Sequence, residues 1–550
     1  MKSPNPNSIL GRILPAWSPD ASQPFGRLVP FNWTGELLAI GAGMLVSFLI
    51  AGFWYPYWRI ADMDFWIVYN AFLLNVPLPQ EYFDHPGYLS ILLLSYWLRA
   101  LHSLGIVHVI SLSALPPVSD ATGFADAWTQ ATRAGRVLSL LYAMGFVAAF
   151  SYLLRALVRD WRVAALGGFL LAFSGGMAMQ MRILRTELLA AGFFTVALLM
   201  LLVVAQRGQR SWRPAVIGCA GLLITLAMLN KIQILFLICT LPVLLLPFGC
   251  VEPPQRGFWN EPRRSWPALI ATAALALLAI YLARDIVIFG LSADGAATLH
   301  SPALRIGTSA YWTAIAAWIG LGMAVYGIVW KVPALEALAS MLAAVTGCMV
   351  GLLALYGRYH PNDVLVVFHP IEQMFVWASA SEPQLAGQGS LLNADRLKFL
   401  LEAIAGVIAR RTFILSSSPR PTIFLEWFVI AATVIAIRRR EWRLAIQVGA
   451  LMLTDWGIDT LGMARGLKQE YFILTDPLAI IAAALLISKF TDLQRHRWTY
   501  PLGATLIVAH ILVSQAEPVK HIFRTDGPEV LCGLYGNAKR IEHFSYCKPQ

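Results

Sequence analysis

Along the whole chain, apolar runs of roughly 17 to 25 residues alternate with short polar stretches, and each run is long enough to cross the hydrocarbon core of a bilayer as a helix. The runs predict spans at approximately 35–54, 137–154, 163–178, 188–205, 214–230, 232–248, 267–289, 310–330, 334–356, 422–437, 443–459, 476–490 and 500–515. This pattern describes an all-α polytopic membrane protein of about thirteen transmembrane helices. The short alternating segments of a membrane β-barrel do not occur in it.

Two further apolar stretches, 65–74 and 89–104, lie between the first two of these runs. Charge decides whether they cross. The N-terminal segment 1–34 carries Lys2, Arg12 and Arg27, which places it in the cytoplasm, and the first run has no small-residue cleavage site behind it. With 137–154 as the second span, the groups Arg155/Arg159/Arg162, Arg207/Arg210/Arg213, Arg256/Arg263/Arg264, Arg438/Arg439/Arg440 and Arg495/Arg497 all fall on the cytoplasmic side. A crossing at 89–104 would move every one of them outside. Both stretches are therefore expected to be amphipathic juxtamembrane helices lying in the membrane plane. The resulting layout is a cytoplasmic segment 1–34, a transmembrane domain 35–515 with large outer loops at about 55–136 and 357–421, and an outer tail 516–550. No internal repeat or low-complexity tract interrupts it.

Composition agrees: the chain is 58% hydrophobic and 13% charged, against about 25% charged in soluble domains. The net charge of +11 is explained by basic residues in short loops between spans, so it points to topology and not to nucleic acid. The sequence contains no Walker A motif, no Gly-rich dinucleotide loop and no G-x-S-x-G elbow, so nucleotide hydrolysis, NAD chemistry and serine esterase chemistry have no support. An outer-face reaction would then draw its energy from a membrane-borne activated donor. Cys219, Cys239 and Cys348 fall within spans and Cys250 at a span edge, as small apolar side chains. Cys532 and Cys547 fall in the tail, where a periplasmic location would allow them to pair.

On this register the chemically unusual residues gather on the outer side. Asp62 and Asp64 follow the first span, and Asp84-His85-Pro86-Gly87 follows the apolar stretch after them. An aspartate there can serve as general base on an acceptor hydroxyl, or a pair can ligate a hard divalent cation such as Mg, Mn or Zn; a helix N-cap is the purely structural alternative. Arg182, Arg185 and Glu187 stand at the outer start of a strongly apolar helix. An anionic ligand such as a phosphate would account for the arginines, with Glu187 orienting one of them or completing a metal site. Lys231 at a hairpin tip, and Arg465, Lys468 and Tyr471 near the outer end of a later span, add to a candidate phosphate clamp. His360, Asp363, His369 and Glu372 match no compact metal spacing.

The order of a first helix, an acidic motif behind it (Asp62, Asp64), a His-Pro pair (His85-Pro86) and a later arginine with an acid at a helix start (Arg182, Glu187) resembles the GT-C glycosyltransferases. The likeness is to bacterial members related to protein O-mannosyltransferases and lipid A aminoarabinose transferases, and it covers roughly the first 250 residues. It implies a polyprenyl-phosphate sugar donor, an acidic residue in the first outer loop, juxtamembrane helices behind it, and a lipid, glycan or protein acceptor on the periplasmic face of a bacterial inner membrane. It also assigns Glu187 as the second acid and Arg182 as the arginine five positions before it. The chain departs in having Asp-Met-Asp where an Asp-Glu pair is common, and His-Pro-Gly where His-Pro-Pro is common, which leaves the choice between Asp62 and Asp64 open. Members of the group differ on whether a divalent cation is needed. The competing readings are a flippase or transporter of a lipid-linked sugar, for which Asp455 and Glu336 are the nearest to mid-span ionisable groups, and a polytopic ligase or acyltransferase.

Overall fold

The chain is described by a computed structural model over residues 33–59, 61–76, 78–81, 86–206, 212–249, 258–291, 308–359, 364, 368, 370, 394–413, 420–462, 468–490, 499–523, 527–532 and 540–541. The helices, in order, are α1 (Trp33–Ile50), α2 (Ala61–Asn75), α3 (Tyr88–Ser103), α4 (Ala121–Val158), α5 (Trp161–Ala172), α6 (Gly175–Gln180), α7 (Glu187–Gln206), α8 (Arg213–Met228) and α9 (Ile234–Leu245). They continue with α10 (Pro262–Leu291), α11 (Thr308–Ala324), α12 (Ala334–Leu352), α13 (Ala394–Thr412), α14 (Ile423–Arg438), α15 (Trp442–Gly462), α16 (Asp476–Lys489) and α17 (Thr499–Ile522). Each run expected to span lies on one of them except 163–178, which is divided between α5 and α6 at Phe173 and Ser174. Among the described residues five helices, α4, α7, α10, α12 and α17, are long and apolar enough to cross a membrane on length and composition, and shorter apolar helices accompany them. The chain is a multi-pass membrane protein.

The longest helix departs from the expected span. At 38 residues, α4 measures about 57 Å, roughly twice the thickness of a hydrocarbon core. Only its second half corresponds to the apolar run 137–154. Its first half starts under an N-cap in which Asp120 accepts the Gly123 N–H at 3.0 Å, and it forms a wall against which the first loop folds. Trp128 is the centre of that wall: its buried ring stacks with Phe65 at 4.7 Å and Phe124 at 5.5 Å, and Phe72 meets it edge-on at 5.4 Å.

This packing corrects the expectation for 65–74. Every residue of α2 from Met63 to Leu74 is buried, so the helix is enclosed by protein and does not lie amphipathically on a membrane surface. A helix apolar all round needs cover on every side, and α4 supplies much of it. By contrast α3 is one-sided as expected, with Ile91, Leu94 and Leu98 buried and Tyr96 exposed.

Loops collect at two ends of the bundle. At one end the N–H groups of Gly87 and Tyr88 donate to the carbonyls of Asn230 (3.1 Å) and Leu229 (3.2 Å), Gln180 Nε2 donates to the Glu470 carbonyl at 2.9 Å, and Arg540 Nε from the tail reaches Glu81 Oε1 at 2.9 Å. At the other end Arg443 Nη2 donates to the Gly249 carbonyl at 2.5 Å and Arg213 pairs with Glu336 at 3.0 Å. The first loop, the turns near 181–186 and 229–231, the segment 469–475 and the tail thus share what is here termed the first-loop end.

Close backbone approach sets the α8–α12 pair. A Cβ on Gly347 would lie 1.9 Å from the Gly218 carbonyl oxygen, and one on Gly221 would lie 2.8 Å from that of Ala344. Between helices in lipid, where burial gives little drive, such small-residue seams let dispersion contacts hold the pair. Gly347→Val is expected to lower the melting temperature of the detergent-solubilised protein by several degrees, whereas Gly320→Val on α11, where a Cβ meets nothing within 4 Å, leaves it unchanged. Equal melting temperatures for the two variants would refute the seam.

Candidate functional site

The acidic motif enters the structure through α2, and Asp64 is its described side chain. Asp64 Oδ2 accepts from Arg136 Nη2 at 2.6 Å and Nε at 3.1 Å, and Oδ1 accepts from the Leu184 backbone N–H at 2.7 Å. Arg136, on α4, directs its remaining donors to the carbonyls of Tyr55 (2.5 Å) and Pro56 (3.1 Å). Both side chains are 0% exposed. A buried carboxylate with a guanidinium on one oxygen and an amide on the other is a fastening, and removing either partner would leave a bare charge inside protein. This one joins α2, α4, the loop after α1 and the turn before α7. The side chain of Asp62, and the whole of Asp84, His85 and Arg465, lie outside the described residues.

One residue beyond Leu184, the turn delivers a second ionic group. Glu187 opens α7, where the helix dipole favours an acid. Its Oε1 accepts from Lys231 Nζ at 2.6 Å and from Arg185 Nη2 at 3.1 Å, while Oε2 accepts from Arg185 Nε at 3.2 Å. Arg185 Nη1 reaches on to Glu470 Oε1 at 3.0 Å. The Tyr471 ring lies 5.5 Å from the Arg185 guanidinium and 5.7 Å from Lys231 Nζ, within cation–π range of both. Burial works against charge on Arg185, yet Glu187 and Glu470 outweigh it and hold its pKa above the usual arginine value.

Small residues make this convergence possible. A Cβ at Gly176 of α6 would lie 2.2 Å from the Ile473 backbone nitrogen, so only glycine lets the 3₁₀ segment Gln469–Leu474 come down beside α6. That approach carries Glu470 and Tyr471 to Arg185. Four of the residues expected from sequence, Arg185, Glu187, Lys231 and Tyr471, therefore form one cluster.

The other expected residues part from it. Arg182 is buried, but it donates to Ser47 Oγ at 2.6 Å, to Gln515 Oε1 at 2.9 Å and to the Ala178 carbonyl, tying α1 and α17 to the turn. Burial, slightly offset by Tyr55, draws its pKa down to about 10, which leaves it charged at neutral pH. Lys468 is exposed. Cys532 is disulfide-bonded, and Cys547 lies outside the described residues.

Sequence reading missed three features. Arg136, just before the apolar run of α4, is the counter-ion of Asp64; Glu470 completes the Arg185 cluster; and α13 to α16 enclose a second ionic network. In that network Arg411 pairs with Glu426 and Asp455 at 2.8 Å each and with Asp459 at 2.5 Å, and Arg420 contacts Glu426 (2.9 Å), Asp455 (3.1 Å), Asp476 (3.2 Å) and Asp459. Asp476 also accepts the Gly176 N–H at 3.1 Å, linking the network to α6. The available signal was the i, i+4 spacing of Asp455 and Asp459 on an otherwise apolar helix, which puts both on one face.

The expected divalent cation finds no cradle in the described residues. They contain no group of three or more His, Cys, Asp or Glu side chains arranged to hold a metal. Asp64 and Glu187, two of the three acids expected to bind one, each already face a cationic nitrogen at 2.6 Å.

Fold and site together define a helical membrane protein with a compensated ionic cluster buried at its first-loop end. No protein-family model matches the sequence, and no curated protein matches it. Among solved structures the fold is similar to the crystal structure of the Archaeoglobus fulgidus oligosaccharyltransferase in complex with zinc and sulfate, at 14% identity and a TM-score of 0.41. The match covers 88% of this chain and 53% of that one, so the chain spans about half the length of that protein.

Asp64→Asn is expected to destabilise the fold by about 3–5 kcal/mol, because it leaves Arg136 buried without its counter-charge. The combined replacement Asp64→Leu with Arg136→Met should recover much of that loss. Thermal unfolding in detergent measures both, and a single variant as stable as the parent would show that the pair is not a fastening.

Proposed function

We propose that this protein is an inverting glycosyltransferase that moves a sugar from a polyprenyl-phosphate donor to a lipid, glycan or protein acceptor, with the first-loop end facing the periplasm of a bacterial inner membrane. The observation that carries this reading is the bond from Leu184 N–H to Asp64, at 2.7 Å. It holds the start of the acidic helix α2 against the turn that bears Arg185 and Glu187, so an acid and a pair of cations share one neighbourhood.

In this reading Asp62 is the general base. It takes the proton of the acceptor hydroxyl as that oxygen attacks the anomeric carbon; the new C–O bond forms while the bond from carbon to phosphate oxygen breaks, and the lipid phosphate leaves with the electron pair. Arg185 and Lys231 stabilise the charge growing on that phosphate. Glu187 and Glu470 compensate the two cations until the phosphate takes over their hydrogen bonds. Asp64 is a positioning residue, and no step passes through a metal.

A second reading, a transporter of a lipid-linked sugar, is favoured by the buried network of Arg411, Arg420, Glu426, Asp455, Asp459 and Asp476, since ionisable groups inside a membrane bundle often mark a substrate or proton path. One assay separates the two. Purified protein, a polyprenyl-phosphate sugar donor and a membrane extract supplying acceptor should give sugar transfer, and Asp62→Asn should lower kcat by about 10²–10⁴-fold without a change in melting temperature. Undiminished transfer by Asp62→Asn would remove the base assignment, and movement of intact donor across vesicles without transfer would favour the transporter. Glu187→Gln should weaken the hold on Lys231 and Arg185 in the resting state and so lower KM for the donor, with kcat changed less than in Asp62→Asn; a raised KM would show that Glu187 contacts the donor favourably.

A further inference from the structure

At the first-loop end lies a cavity of about 520 Å³, within the roughly 300–1,000 Å³ range of small-molecule sites. Its walls come from the C-terminal end of α2, from α3 and from the turn after α12. Asn75, Gln80, Tyr88, Arg99, Arg358 and Tyr359 supply its polar lining, and none of the described residues around it is acidic. Arg99 Nη2 and Arg358 Nη1 each donate to the same acceptor, the Leu74 carbonyl, at 3.1 Å. Those two nitrogens are therefore no more than about 6 Å apart, near enough for like charges to repel.

Among the described residues their partners are neutral, Arg99 Nε donating to Asn75 Oδ1 at 2.6 Å. Neither arginine has a carboxylate within ion-pair distance among the described residues, and Glu81, the acid nearest to Gln80 in sequence, is held by the Tyr69 hydroxyl at 2.6 Å and by Arg540 at 2.9 Å. The C-terminus of α2 contributes about half an elementary negative charge, against two positive ones. The contrast with the Arg185 cluster is direct: there every cation meets a carboxylate, and here no carboxylate among the described residues does the same. The cavity is also tied to the turn that bears Lys231. The N–H of Tyr88, one of its walls, bonds the Leu229 carbonyl, and that of Gly87 bonds the carbonyl of Asn230, next to Lys231.

We propose that this cavity binds an anionic sugar headgroup, a hexose bearing a phosphate or carboxylate, through Arg99 and Arg358, with the amides and phenols around it meeting the hydroxyls. Resting on the glycosyltransferase reading, this makes the cavity the recognition site of the acceptor and gives the acceptor a negative charge. Bidentate guanidinium donors suit a phosphate or carboxylate, and a mixed amide and phenol lining suits a polyhydroxyl body.

The test is calorimetric titration of the full-length, detergent-solubilised protein with glucose 6-phosphate, glucose and inorganic phosphate. Glucose 6-phosphate should bind saturably and at least about tenfold more tightly than either of the others, a difference of about 1.4 kcal/mol. Arg358→Glu, at an exposed position, should reduce that affinity at least tenfold with an unchanged melting temperature, and Arg358→Lys should restore part of it. Unaltered binding by Arg358→Glu overturns the site; glucose binding as tightly as its phosphate overturns the anion; inorganic phosphate binding as tightly as glucose 6-phosphate overturns the sugar. Binding is read without turnover, so full activity in Asp62→Asn would remove the catalytic reading and leave this result standing.

Discussion

The arrangement of the first-loop end depends on one buried ion pair. Asp64 and Arg136 are fully enclosed and joined at 2.6 Å, and with the bonds they make outward they join four separate pieces of chain. A buried pair of this kind adds little net stability over an apolar replacement, because the cost of desolvating two charges offsets most of their attraction. What it contributes is a defined arrangement. With Arg136 satisfied by Tyr55 and Pro56 and Asp64 by Leu184, α2 has one orientation against α4 in which no polar atom of the pair is stranded. The aromatic packing around Trp128 supplies adhesion, and the ion pair supplies register.

Much of the fold was legible because lipid imposes a simple rule. A spanning helix must be apolar over about twenty residues, so the runs mark the helices, and every predicted run but 163–178, which is divided between α5 and α6, lies on one. The first loop was harder to read. The stretch 65–74 forms a helix covered by protein, not one lying on a membrane surface, since an apolar helix can be covered by protein as well as by lipid. The protruding half of α4 supplies that cover, and its role is invisible where residues 121–136 read as a polar lead-in to a span.

The candidate site was legible in kind and only partly in membership. Residue types placed Arg185, Glu187, Lys231 and Tyr471 at one end, and the structure brings them together. Pairing was not legible, because it depends on contacts between residues far apart in sequence: Asp64 with Arg136, 72 positions away, and Arg185 with Glu470, 285 positions away. The same limit hid the network of α13 to α16, where Arg411 comes from the last turn of α13, Arg420 from the segment before α14, and their acids from three different helices.

The ionic groups of this end differ in how completely they are compensated, and the difference tracks burial. Asp64 and Arg136 balance one for one; Arg185 and Lys231 are met by Glu187 and Glu470; Arg99 and Arg358 share only a carbonyl. Uncompensated charge is tolerable only where water can reach it, and Arg358 is exposed whereas Arg136 and Lys231 are fully buried. A fully compensated, enclosed pair has nothing left to offer a ligand, so it serves architecture. A compensated cluster can exchange its internal carboxylate for an incoming anion at little electrostatic cost, because the number of charges facing each cation is conserved. An open, uncompensated pair gains most from an anion, since binding removes a repulsion already present. Burial, more than residue identity, thus sorts these eight charged side chains into a fastening, an exchangeable cluster and an open receptor.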